Sequence, residues 1–436
     1  MLTIKEKFLI VFPSYLVALL PLFLITGPFL SDLSVVLVSL IFLINIITRR
    51  ELYLLKNKFF IIFFIFFLYL VFNSFVKFYD IHNLRSSISY IRFGLYTMGV
   101  IYFLDKKPDL LKWLFWVFVF CFVILIFDGF FQYFLKTNYF NVIIEQGRIT
   151  SLFGSEHVLG SYLSRLFPIF LGLTFFLYKD KRNYIFLISF VFILIEVLIF
   201  LSGERVAFFF NTLAAVFVIL MLKDFKKIRF FSFLVSIIII LIISMYDNSA
   251  KKRIWDQTIY QIGINSKHLN LFSEGHESHY KSAYKMFEDN KIIGIGIRNF
   301  RNYCNEEKYK IGYKKIIIPF QIYHDRSCTT HPHNTYIQLL SETGIIGFSF
   351  LLSIFFYFLY LCTIHLFGII KNKVYYFNNF EICLLAALLI TIWPFIPSGN
   401  FFNNWLSIIY YFPVGFLLWS IKKNKKKQKI KLYIRN

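Results

Sequence analysis

Residues 59–67 read FFIIFFIFF, an unbroken run of aromatic and aliphatic side chains. A helix or strand with one wet face would interpose polar residues at regular spacing, and this run has none. It is expected to face lipid. Similar stretches recur along the 436 residues, which are 58% hydrophobic and 21% aromatic and include 59 phenylalanines. With a mean hydropathy of +0.64, the chain lies far from the composition of a water-soluble domain.

A membrane crossing takes about 20 apolar residues. By that measure the sequence predicts about twelve spans, near 8–25, 30–48, 59–77, 87–104, 113–135, 158–177, 184–201, 205–222, 229–246, 345–369, 379–397 and 402–420. The segment from Met1 to Lys7 leads into an apolar stretch longer than a signal peptide and lacking a small-residue cleavage site, so the first helix is expected to stay.

The net charge of +23 sits in the segments between spans. With a cytoplasmic amino terminus, Arg49 to Lys58, Asp105 to Lys112, Tyr178 to Asn183, Lys223 to Arg229, Lys371 to Lys373 and the tail from Lys422 all fall inside, and all are basic. This is the positive-inside pattern. It argues against nucleic acid as a partner, since the cations are not gathered on a soluble face, and it makes the tail an anchor on the anionic leaflet. The expected fold is an all-α polytopic transmembrane bundle. Spans 1–9 fill residues 1–246, a long extracytoplasmic loop with amphipathic helices fills 247–334, a further outer helix and spans 10–12 fill 335–420, and the basic tail fills 421–436.

Ionisable side chains within spans are costly and usually functional. Asp128, Arg165 and Glu196 are of this kind. Counted at 1.5 Å per residue, Arg165 and Glu196 reach similar depth, where an ion pair ordering the bundle or a contact with substrate would serve. Arg92 and Arg205 add positive charge near the same outer level, which suits an anion at the interface.

In the long loop, HESHYKSAYKMFEDN (276–290) spaces Tyr280, Ala283, Tyr284 and Phe287 as one apolar helical face. The following GIGIRNFR (294–301) joins a glycine turn to Arg298 and Arg301. HPHNTYIQLLSETGIIGF (331–348) then places His333 before a helix with a polar stripe of Asn334, Gln338, Ser341 and Glu342. A neutral imidazole there suits general-base work near neutral pH. Gly344 and Gly347 are expected to let the helix pack closely. Cys304 and Cys328 are the cysteines of this loop, and facing an oxidising compartment they are expected to form a disulfide.

At LSGERVAF (201–208), KMFEDNKIIGIGIRNFR (285–301) and HPHNTYIQLLSETGIIGF, with SGNFFNNW (398–405) before the last span, the sequence resembles the O-antigen ligase and O-antigen polymerase superfamily of bacterial envelope glycosyltransferases. The resemblance implies a multi-pass protein of the bacterial inner membrane with its active site facing the periplasm. It implies a glycan donor linked to undecaprenyl pyrophosphate, an acceptor hydroxyl on lipid A core or on a growing polysaccharide, and no cofactor. His333 would be catalytic and Arg205 would bind pyrophosphate. Arg301 or Arg298 would supply a second pyrophosphate-binding arginine, since the family's usual position for it, beside the amphipathic helix, holds HESH (276–279) here. Asn334, Glu342, Arg165 and Glu196 would support the site. Ligase and polymerase both remain open.

Two other readings compete. His268, His276, His279, His324, His331 and His333 concentrate in one loop, but HESH lacks the HExxH spacing and no carboxylate cluster accompanies HPH, so no metal is expected. A transporter or flippase would show midplane charges and corresponding broken helices in two halves, and the sequence shows neither clearly.

Overall fold

The computed structural model describes residues 4–144, 147–178, 181–247, 251–262, 272–311, 317–318, 321–322, 328–372 and 374–435. The helices are α1 Ile4–Thr26, α2 Pro28–Thr48, α3 Lys58–Val76, α4 Ile81–Ser89, α5 Ile91–Lys106, α6 Leu110–Leu135, α7 Leu159–Tyr178 and α8 Arg182–Leu201. After them come α9 Arg205–Met221, α10 Lys226–Tyr246, α11 Gln257–Ile262, α12 Glu274–Asp289, α13 Phe300–Tyr303, α14 Thr335–Phe367, α15 Asn379–Thr391 and α16 Asn404–Arg435. Ile317–Ile318 pairs antiparallel with Gln321–Ile322 in a minimal ladder, and Thr137 and Ile143 form an isolated antiparallel bridge.

Among the described residues nine helices are long and apolar enough to cross a membrane, and α9 and α15 are shorter apolar helices. The protein is a multi-pass, all-α membrane protein. The predicted fourth span, 87–104, divides into α4 and α5, because Asp80 caps α4 by accepting from the Asn83 N–H at 2.8 Å and α4 stops at Ser89. The predicted eleventh span is shorter than expected, ending at Thr391. An irregular segment, 392–403, then takes the chain past the site described below.

α3 shows how the apolar run of 59–67 is used. Phe60, Phe63, Phe66 and Leu70 are buried, while Ile61, Ile62, Ile65 and Leu68 are exposed. A helix apolar on both faces is stable only where its outer face meets hydrocarbon. At the centre lies α7, buried along nearly its whole length and packed by α6, α8, α9, α15 and α16. Gly172 permits that packing: a Cβ there would lie 2.9 Å from the Cys383 Cβ on α15.

The expected pairing of Arg165 with Glu196 is not what the bundle builds. Glu196 accepts from Asn211 Nδ2 at 3.1 Å and from the Ser236 hydroxyl, and the cation acting on it is Arg229. Arg165 instead lies over the Phe210 ring at 5.0 Å and feels the charge of Glu204. Equal depth fixes position along the helix axes, whereas pairing also needs the two side chains to point toward each other.

α14 is broken at Gly344, whose φ of 63° and ψ of −167° leave the helical region. The break frees backbone groups that the loop then satisfies. Ile295 N–H donates to Ser341 O at 2.9 Å, Gly296 N–H to Glu342 O at 2.9 Å, and Ile345 N–H to Lys291 O at 2.8 Å. The glycine turn of 294–296 is therefore docked into the broken helix, which fixes the loop on the bundle.

Candidate active site

Three chain segments converge where α14 begins. Asn334 caps the helix, its side-chain oxygen accepting from Tyr336 N–H at 3.0 Å and Ile337 N–H at 3.1 Å. Its amide donates to Pro394 O at 2.8 Å, and Ser398 N–H donates to His333 O at 2.8 Å. His333 thus sits between the helix cap and the irregular segment after α15. Its φ of 56° is uncommon for a residue with a Cβ. The bonds from Ser398 and from the Tyr280 hydroxyl, at 3.4 Å, hold its carbonyl in that conformation.

α12 supplies the facing wall. Its buried side is His279, Tyr280, Ser282, Ala283 and Met286, whereas Tyr284 is exposed and Phe287 half-buried. This corrects the apolar face expected from the sequence. The helix is turned so that its histidines face the HPH segment, with ring centroids of His276 and His279 lying 5.5 and 5.4 Å from that of His333. His331 completes the group at 4.2 Å from His333.

Four imidazoles this close, and largely buried, cannot all carry protons. Burial first, and neighbouring positive charge second, hold His276 and His333 down to about 4 and His331 to about 3. These three are neutral at physiological pH. Two of the neighbouring charges are arginines on different elements: Arg205 acts on His276 and Arg301 acts on His331. Guanidiniums from two elements thus stand near enough to the imidazole group to act on it. Among the described residues, no set of three or more His, Cys, Asp or Glu side chains is arranged to hold a metal ion. His268 and His324 lie outside the described residues.

Arg205 opens α9 and donates from Nη1 to Gln261 Oε1 at 2.7 Å on α11. The same Nη1 lies 3.5 Å from Thr258 Oγ1, also on α11. Just before it, Glu204 accepts from Gly160 N–H at 2.7 Å and Ser161 N–H at 3.0 Å, capping α7. Burial pushes the Glu204 carboxyl up to about 7, against the opposing pull of those bonds and of Arg148. Arg253 donates from Nε to Gly203 O at 3.3 Å, adding a further cation at the turn.

Glu342 and Gln338, both fully buried, tie the other side together. Gln338 Nε2 donates to Glu342 Oε2 at 3.0 Å and to Asn400 Oδ1 at 2.9 Å, while Phe401 N–H donates to Gln338 Oε1 at 2.9 Å. Glu342 Oε1 accepts from Phe300 N–H at 3.3 Å, at the start of α13, which carries Arg301. Cys304 and Cys328 are joined in a disulfide with a Cα–Cα distance of 5.0 Å, clasping the end of that segment to the approach to HPH. Arg298 turns the other way, donating from Nη1 to Ser86 Oγ on α4 at 2.7 Å. The arginines expected to converge thus separate: Arg205 and Arg301 act on the imidazoles, whereas Arg298 and Arg92 belong to a different cavity.

Residues 188–352 match the family model for O-antigen ligase. Over these 165 of its 436 residues the chain is similar to the O-antigen ligase family. No curated protein matches it. The O-antigen ligase match begins within α8 and ends within α14, so it includes both Arg205 and His333. The flanking segment at 394–403, which holds the His333 carbonyl and the Gln338 side chain, lies beyond it. The sequence reading passed over Glu204, although it stands inside the quoted LSGERVAF. The three-residue spacing of His276 and His279 puts them on one helical face, a signal present in the sequence.

Proposed function

We propose that this O-antigen ligase-type protein is a glycosyltransferase that moves an oligosaccharide from undecaprenyl pyrophosphate to a sugar hydroxyl at the periplasmic face of the bacterial inner membrane. The observation that carries this reading is the cluster of His276, His279, His331 and His333, on which Arg205 and Arg301 both act. In the reaction, the acceptor oxygen bonds to the anomeric carbon as the bond from that carbon to the pyrophosphate oxygen breaks. The leaving pyrophosphate takes the electron pair, and Arg205 and Arg301 neutralise its charge. His333 accepts the hydroxyl proton.

The low proton affinity of His333 in the free protein has a use in this scheme. A bound pyrophosphate, as a nearby anion, raises the affinity of the imidazole for a proton. The base therefore strengthens only when the donor is seated, which disfavours protonation in the empty site. Glu342 and Gln338 act as positioning residues, holding α13 and the 400–401 backbone against the start of α14. Arg165 and Glu196 support the bundle from separate networks.

The direct test is transfer by purified protein from a lipid-linked glycan to a defined acceptor, comparing wild type with His333→Ala. The variant is expected to lose transfer while keeping its expression level and melting temperature; wild-type turnover would refute the assignment. In a deletion strain, ligase activity predicts loss of all long chains from core with lipid-linked polymer accumulating. Polymerase activity predicts core that carries single repeats. Unchanged surface polysaccharide would oppose both.

A further inference from the structure

Away from the imidazoles, a cavity of about 270 Å³ is lined by Arg85 and Ser86 of α4, Arg92 of α5, Arg298 of the loop, His82 and Asp32. Three guanidiniums face one carboxylate. That carboxylate is engaged, with Asp32 Oδ1 3.0 Å from Arg92 Nη2. Arg298 is held in place by Ser86, and Arg92 by the Ser89 carbonyl at 3.0 Å, so two of the cations are fixed in direction before any ligand arrives. Like charges gathered in a concave, partly dry site repel one another, and an anion relieves that repulsion.

We propose that this cavity binds the phosphoryl headgroup of a membrane lipid. Planar guanidiniums present paired N–H donors that fit phosphate oxygens, and the Ser86 and Ser89 hydroxyls stand beside them. The surroundings favour a lipid source over a free anion. Phe29 and Leu33 on α2 are exposed, as are Phe78, Tyr79, Ile81 and Ile88 on and before α4. α4 is short and polar toward the cavity but apolar outside, the profile of a helix lying in the membrane interface. A headgroup in the cavity would leave its chains beside these apolar side chains.

The cavity is linked to the imidazole site through one short turn. Arg298 lines it, while Arg301, three residues on, acts on His331. This inference does not depend on the transfer reaction, and its test separates the two. Full-length protein in non-ionic detergent is titrated with dioctanoyl phosphatidic acid, with dioctanoylglycerol and with inorganic phosphate. The phosphorylated lipid is expected to bind at least about tenfold more tightly than either of the others. Arg85→Gln and Arg298→Gln should each weaken it by about tenfold. Arg85 is exposed, so its variant keeps the test valid should Arg298→Gln not fold. His333→Ala should bind the lipid as wild type does, whatever becomes of transfer. Equal affinity for phosphatidic acid and dioctanoylglycerol, or binding that survives Arg85→Gln undiminished, overturns the proposal. Phosphate alone binding as tightly as the lipid overturns the lipid source.

Discussion

Gly294 rests directly on the backbone of Glu342: a Cβ at residue 294 would lie 2.5 Å from the Glu342 carbonyl carbon and 2.6 Å from its oxygen. The contact seats the loop in the break of α14, and Gly344 makes it from the other side, where a Cβ would lie 2.2 Å from Ile292 O. The arginine of α13 and the histidine before α14 are placed relative to one another through this contact.

Gly294→Ala is therefore expected to unseat the loop. Its φ of 74° is strained for alanine, and the added methyl meets backbone that cannot swing aside. Gly154→Ala provides the comparison, because φ there is 63° but nothing lies within 4 Å of the new atom. The first variant should melt at clearly lower temperature and exchange amide hydrogens faster across 291–304. The second should show only the smaller cost of strain, on the order of 1 kcal/mol. Equal effects would mean that strain, and not the docking contact, is what matters at residue 294.

How much of this the sequence disclosed depends on the range of the interaction concerned. The lipid-facing helices were legible from runs such as 59–67, since each residue in them reports its own solvent. The His333 segment and the cysteine pair were legible too, the first from helix-cap chemistry and the second from compartment and number. The break at Gly344 was not, because TGIIGF reads as continuous helix until the 294–296 turn arrives to take up the freed carbonyls. The orientation of α12 was missed because overlapping sets of positions satisfy helical periodicity, and the buried His279 and Ser282 count as polar in any pattern. Glu204 caps a helix that begins 45 residues earlier, at Leu159, and no local signal announces such a partner.

Arg205→Lys should behave as a non-conservative change. A planar guanidinium presents paired N–H donors that fit phosphate oxygens, and Arg205 gives one nitrogen to Gln261, whereas an ammonium offers a single point of charge. Donor affinity is expected to fall by about tenfold or more, equivalent to the loss of about 1.4 kcal/mol. Gln261→Ala, which removes only the neutral neighbour, should cost less. Lipid-linked glycan titrated into both variants settles the matter, and undiminished binding to the lysine variant would reduce Arg205 to a helix anchor.

The disulfide should matter for both stability and geometry. Cys304 and Cys328 are 24 residues apart, and closing a loop of that size stabilises a fold by about 3 kcal/mol in chain-entropy terms. Cys304 is buried with Met286, Phe300 and Tyr309, so the bridge ties 328 to the packed side of α12. Reduction, or Cys328→Ser, is expected to lower the melting temperature and to speed proteolysis between residues 305 and 327. Alkylation of envelope-derived protein without reductant should leave both cysteines unlabelled, and labelling of both would show that the bridge is absent in the native protein.

Acid should weaken the site through the histidines, with a sign fixed by their depressed proton affinity. His276 and His333 titrate at about 4 and His331 at about 3 in the folded protein, against about 6.5 for imidazole in an unfolded chain. Between these values the unfolded chain takes up protons that the folded one refuses. Stability is thus fully present above about 6.5 and drains away as pH falls toward 4. Glu204 works in the opposite sense, since its carboxyl, raised to about 7, favours the folded state at low pH and loses that contribution as pH rises through 7. The contribution of the three histidines is a melting temperature that falls from pH 6.5 to pH 4.5. Replacing His276 and His331 together by asparagine should flatten that fall. Catalysis should differ in its midpoint: because the base of the free protein remains neutral until about pH 4, kcat/KM should hold from pH 7 to pH 5.5 wherever the fold survives. An acid limb centred near 6.5 in wild type, with no change in melting over the same interval, would mean that the imidazole is solvated and the buried cluster does not set its protonation.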